Sequence, residues 1–249
     1  MTEAEWLACT DPGPMLEFLK GKAGDRKLRL FACACCRRIW HLLVDEAVQQ
    51  AVEVAEQSAE DLVRAEALRQ ACVCAEAAYR MRRKLADQTS CLVEGFHAYW
   101  TASAIADASR VAWLTAMDLA DLSARGLDLP ELVALLSAGT KQPEHGGDIS
   151  ACDAEKSVQS NLLRDIVGNP FRPCILDTVW RTPTVNNLAT AAYNERSLPS
   201  GELDPARLAV LADALEQAGC NNEEILNHCR QPGVHVRGCW VVDLVLGKE

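Results

Sequence analysis

Apolar residues recur along this chain at intervals of three and four, the spacing that places them on one side of a helix. Thr2 with Glu5 three positions later has the form of a capping box and predicts a helix at the start. Asp11-Pro12-Gly13 predicts a break, followed by a short helix opened by Pro14, running through Leu19 and closed by Gly21 and Gly24. Asp25 can cap the segment RKLRLFACACCRRIWHLLV. At 100° per residue, Leu28, Phe31, Cys33, Cys35, Cys36, Ile39, Trp40, Leu42 and Leu43 share one broad face. Arg26, Lys27, Arg37, Arg38 and His41 fall on the other, and only Leu30 and Arg29 break the division.

From Asp45 the chain turns to Ala, Glu, Val and Gln and continues as helix. Ser58 with Asp61 predicts a new start for a long helix through Leu85, and Ser90 predicts another reaching Gly126. These helices are too long and apolar to stand alone, and an antiparallel bundle packs them most simply. GTKQPEHGGD then reads as a loop or linker. Ser150 to Val167 is helical in pattern, and GNPFRP is a rigid turn. Thr182-Pro183, Asp204-Pro205 and Asn222 each predict a capped helix start. Residues 237–246 are short and apolar, and their periodicity leaves helix and strand open. Cys174 to Val179 is the one other stretch that admits a strand. The expected fold is mostly α: an antiparallel helical bundle over residues 1–137, a linker over 138–150, and a smaller helical C-terminal unit over 151–249.

Composition narrows the function classes. The 249 residues carry a formal net charge of -10, which repels phosphate backbones and anionic membrane surfaces. The opening lacks the basic and apolar regions of a secretory signal, and no apolar run is long enough to span a bilayer. A cytoplasmic location is therefore expected, where the 12 cysteines stay reduced. That leaves metal ligation, redox chemistry, or cysteine as a small buried apolar residue.

The two ends carry further information. MTEAEWLACTDPGPMLEFLKGKAGDRKLRLFACACCRRIWHLL, NLLRDIVGNPFRP and LADALEQAGCNNEEILNHCRQPGVHVRGCWVVDLVLGKE resemble a family of uncharacterised planctomycete proteins, over about the first 55 and last 90 residues. The resemblance implies a bacterial, cytoplasmic protein and no particular chemistry. It also implies that the position of Cys229 tolerates an apolar residue, which weighs against Cys229 as a metal ligand.

The densest group of ligating side chains is Cys220, His228, Cys229, His235 and Cys239. Thiolate and imidazole suit zinc, and a turn through RQPGVHVRGC can return His235 and Cys239 toward Cys229. No CxxC pair anchors the group, and adjacent His228 and Cys229 point in different directions on a helix. Cys33 and Cys36, with Cys35 between them and Cys72 and Cys74 on a later helix, form a second candidate, but all three early cysteines fall on an apolar face. Glu94 and His97 have the ExxH spacing of di-iron bundles without the second ExxH such sites need. The basic face Arg26–Arg38 is a candidate nucleic-acid surface, or a partner for the acidic helix bearing Asp45, Glu46, Glu53, Glu56 and Glu60. No P-loop, GxGxxG, HExxH, GxSxG or kinase signature is present, so no catalytic residue is assigned. The pattern favours a protein-interaction or scaffold module over an enzyme. The alternatives are a zinc-binding regulatory or enzymatic protein using the C-terminal Cys/His group, and a nucleic-acid binder.

Overall fold

The computed structural model describes residues 1–89 and 149–248. Among them the chain is helical, without a strand. Ten α-helices run as α1 (Glu3–Ala8), α2 (Pro12–Leu19), α3 (Asp25–Arg38), α4 (Glu46–Ala59), α5 (Ala65–Thr89), α6 (Ile149–Val167), α7 (Pro183–Asn194), α8 (Pro205–Gln217), α9 (Glu223–Arg230) and α10 (Trp240–Leu246). The expected helix from Ser90, the ExxH pair Glu94 and His97, and all but the last residues of the 138–150 linker lie outside the described residues. No described helix is long and apolar enough to cross a membrane. No described cysteine is in a disulfide.

Local capping chemistry explains most of the boundaries. The Thr2–Glu5 box forms in both directions, with Thr2 N donating to Glu5 Oε2 at 2.6 Å and Glu5 N to Thr2 Oγ1 at 3.3 Å. Thr182, Asp204 and Asn222 accept from backbone N–H groups of the turns they open. Three expectations shift. Asp11 caps α2 and Pro12 occupies its first turn, so the short helix expected from Pro14 begins two residues earlier, inside the Asp-Pro-Gly segment. Gly24, not Asp25, is the N-cap of α3. Ser58 lies inside α4, and the next helix begins only at Ala65 after Asp61, whose φ is 55°. Within 237–246 the structure has a turn followed by helix α10, and Thr178–Trp180 is a 3-10 turn rather than a strand.

The chain divides into two compact units, residues 9–160 and residues 1–8 with 161–249. The division falls within α6, and α1 groups with the C-terminal residues, which differs from the expected 1–137 and 151–249 segments.

In the 9–160 unit, α4 packs against both α3 and α5, and most of α3 is buried. Leu30, Phe31, Cys33, Cys35, Cys36 and Ile39 are all buried. So is Arg37, which the sequence pattern places on the polar face. A helix enclosed on several sides has no solvated face at its end, and Arg37 is retained through a bidentate pair with Glu56, at 2.6 and 2.7 Å. The pairs Arg26–Glu60, Arg29–Ser58 and Cys33–Val52 run in opposite directions along the two helices, so α3 and α4 are antiparallel. Arg82 on α5 reaches Asp45 just ahead of α4 with two bonds of 2.7 Å. Arg38 pairs with buried Glu155. The basic face Arg26–Arg38 is thus largely engaged with carboxylates.

In the other unit, α7, α8, α9 and α10 enclose an apolar core that includes Val185, Leu208, Leu211, Ile225, Val241 and Val242. Arg164 holds α1 through the Trp6 carbonyl at 2.9 Å, and Asn169 holds it through Glu3 at 2.8 Å.

Candidate metal centre

The candidate centre is assembled from three parts of the 161–249 unit. On α6, Leu162, Asp165 and Ile166 share a helical face, and both apolar residues are fully buried. That burial carries the Asp165 carboxylate inward with them. His228 stands in the last turn of α9, whose start is fixed by Asn222 accepting from Glu224 N and Ile225 N. The Pro232-Gly233 turn then reverses the chain. Leu203 N donates to the His235 carbonyl at 2.8 Å, which fixes the returning segment, and Cys239 is the N-cap of α10.

Asp165, His228, His235 and Cys239 converge, their ligating atoms all lying within 4.8 Å of one another. Their exposures are 4%, 9%, 2% and 0%. His235 Nδ1 stands 2.6 Å from Asp165 Oδ1, and His228 Nε2 stands 3.1 Å from the same oxygen. His228 Nε2 is 3.2 Å from Cys239 Sγ, and His235 Nδ1 is 4.0 Å from it. The second Asp165 oxygen accepts from Val236 N at 2.8 Å. Zinc bonds of about 2.0–2.1 Å to N or O and 2.3 Å to S imply tetrahedron edges of about 3.3–3.6 Å. The observed separations fall on both sides of that range, so the four groups could hold a metal ion once the 2.6 Å His235–Asp165 hydrogen bond opens.

The electrostatics show how tightly these groups act on one another. Burial drives the Asp165 carboxyl up, but hydrogen bonds from His228 and His235 outweigh it and leave Asp165 below its ordinary 3.8. Burial lowers His235, yet Asp165 raises it above its ordinary 6.5. The Gln231 carbonyl also raises it without closing a hydrogen bond, since His235 Nε2 is buried with no partner. Burial and the Asp165 charge push the Cys239 thiol well above 9.0, so Cys239 ligates only where a cation stabilises its thiolate.

An outer layer orients the rings. Trp240 Nε1 donates to His228 Nδ1 at 3.1 Å, with Gln231 Nε2 at 3.3 Å from the same nitrogen. The Trp240 ring rests on Gly168, where a Cβ would stand 3.1 Å from Trp240 Cγ and where φ is 74°. Beside this layer lies an open cleft of about 590 Å³, with Leu7, Arg172, Asn227, His228, Gln231 and Trp240 among its walls.

Of the five residues singled out from the sequence, the structure joins three: His228, His235 and Cys239. Cys220 and Cys229 lie instead in the apolar core, and burial pushes the Cys229 thiol up to about 12. Adjacent positions on α9 separate Cys229 from His228, as helical geometry requires. The sequence does not single out Asp165, because 63 positions separate it from His228; its signal is a lone acid on the apolar face of LLRDIV. Cys33, Cys35 and Cys36 form no ligand group with Cys72 and Cys74. Burial raises Cys33 and Cys35 well above 9.0, and Cys33 Sγ donates to the Val52 carbonyl. Among the described residues, the Asp165 group is the one set of three or more such side chains that converge. Comparison with known families, curated proteins and solved structures finds no match for this chain.

Proposed function

We propose that the 161–249 unit is a metal-binding module in which Asp165, His228, His235 and Cys239 hold one zinc ion in a structural or regulatory role. The observation that carries this is the convergence of four suitable donors, from α6, α9 and the loop into α10, at one buried point. Two imidazoles, a carboxylate and a thiolate suit zinc better than calcium or magnesium, which take oxygen donors. Four protein ligands leave no position for a reacting water, the arrangement of a structural rather than a catalytic site. Zinc would balance the buried Asp165 carboxylate, stabilise the Cys239 thiolate, and tie α6 to the distant 228–239 stretch.

This reading stands ahead of the protein-interaction module expected from the sequence. Exposed apolar side chains such as Val73, Met81 and Ile175 identify no partner. It also stands ahead of nucleic-acid binding, because Arg26, Arg37 and Arg38 pair with Glu60, Glu56 and Glu155. Elemental analysis of protein purified without a chelating tag tests it: close to one zinc per chain is expected, and a protein that neither carries nor takes up zinc contradicts it.

A further inference from the structure

His228 uses its two ring nitrogens on two different neighbourhoods. Nε2 faces the Asp165 and Cys239 donors, at 3.1 and 3.2 Å. Nδ1 faces Trp240 and Gln231, in the wall of the cleft. An indole N–H donates and never accepts, so the Trp240 bond requires a lone pair on Nδ1. The neutral ring then carries its proton on Nε2, directed at Asp165 and Cys239. A metal needs the Nε2 lone pair, and a neutral ligating imidazole carries its proton on the other nitrogen, donated to an acceptor. Trp240 cannot be that acceptor. Gln231 can, because turning its amide presents Oε1 where Nε2 now stands.

We propose that metal occupancy of the Asp165–His228–His235–Cys239 centre is transmitted to the adjacent cleft through the His228 ring, by exchanging Trp240 for Gln231 as the partner of Nδ1. This rests on the metal-binding reading above. As zinc binds, the Cys239 thiol proton leaves to solvent, and the proton that His235 Nδ1 directs at Asp165 leaves that nitrogen, to solvent from a protonated ring or to Nε2 within a neutral one. The His228 proton moves from Nε2 to Nδ1, so that ring neither gains nor loses charge. The Trp240 indole N–H then faces another donor and is displaced. Gly168 limits movement on one side, where even one added Cβ would stand 3.1 Å from the ring. The cleft is the open side. The cleft wall formed by Trp240 and Gln231 therefore differs between the zinc-loaded and zinc-free protein.

Long-range proton–nitrogen spectra of the full chain, zinc-loaded and chelated, read the tautomer directly. The expected result is an Nε2–H ring with a hydrogen-bonded Trp240 indole after chelation, and an Nδ1–H ring with a shifted indole resonance with zinc. Two variants give opposite signs. Trp240→Phe removes the competing donor and tightens zinc binding about fivefold. Gln231→Leu removes the acceptor and weakens it about tenfold. A purely structural role for either residue would weaken binding in both. Zinc bound at one per chain with the ring unchanged, or with both variants shifted the same way, overturns the coupling alone. No zinc uptake by the unaltered chain overturns the metal reading with it. Should Trp240→Phe fail to fold, the wild-type spectra and Gln231→Leu still decide.

Discussion

Asp165 Oδ1 and His235 Nδ1 stand 2.6 Å apart although 70 positions separate them, and Val236 N donates at 2.8 Å to the other oxygen of the same carboxylate. One side chain thus fixes both the ring and the backbone of the segment that leads to Cys239. Asp165→Ala strands the His235 ring and the Val236 amide in a buried site, and removing one partner of a buried charged pair costs about 3–5 kcal/mol. Asp165→Asn keeps an oxygen for Val236 and should cost clearly less. Denaturant midpoints of the two variants check the order, and equal losses would contradict it.

The Gly168–Trp240 contact yields a second prediction. Gly168→Ala places a Cβ 3.1 Å from Trp240 Cγ at a φ of 74°. The left-handed backbone alone costs about 1–2 kcal/mol for a residue with a Cβ. The variant should melt several degrees lower and change its tryptophan emission, whereas Gly24→Ala, with open space around its Cβ, should leave emission unchanged.

The pH dependence should differ with and without metal. With zinc chelated, the raised His235 stabilises the fold fully below its ordinary 6.5, and this is lost as pH rises through the raised value. The lowered Asp165 stabilises above its ordinary 3.8, and this is lost as pH falls through the lowered value. The contribution of the pair is therefore fullest between those two values. Zinc requires deprotonated ligands, so the loaded protein should instead gain stability from pH 6 toward 8. Melting temperatures across that range, with and without chelator, should diverge; parallel curves would contradict the account.

In the 9–160 unit the Arg37–Glu56 pair is almost fully buried, with side-chain exposures of 2% and 4%. Glu56→Gln leaves a buried guanidinium without its counter-charge and should destabilise by about 3–5 kcal/mol. Replacing both residues by Met and Leu should recover most of that loss. A double variant no better than Glu56→Gln would show that the pair acts through something other than charge compensation.

Helices were legible wherever local chemistry decides them. Thr2, Thr182, Asp204 and Asn222 cap helices through bonds within a few residues, and no tertiary contact is needed to place them. The helix within 237–246 was not legible, because seven residues of Trp, Val, Asp and Leu satisfy both periodicities until the Cys239 cap is in place. Arg37 misled for a related reason: periodicity describes a helix with one wet face, and α3 is enclosed. His228, His235 and Cys239 were visible as a cluster because they lie close in sequence. Their fourth member was invisible because only the packing of α6 against α9 and the following loop brings Asp165 to them. Cys220 and Cys229 entered that cluster by proximity in sequence and left it because helix geometry turns them into the core.

The most direct test of the metal centre is a cobalt(II) titration of the full chain followed by absorption spectroscopy. The account predicts saturation at one equivalent, with tetrahedral ligand-field bands and a thiolate-to-cobalt charge-transfer band. That band should disappear in Cys239→Ser and persist in Cys229→Ser. A charge-transfer band that survives in Cys239→Ser, or a titration that shows no saturable site, would contradict it.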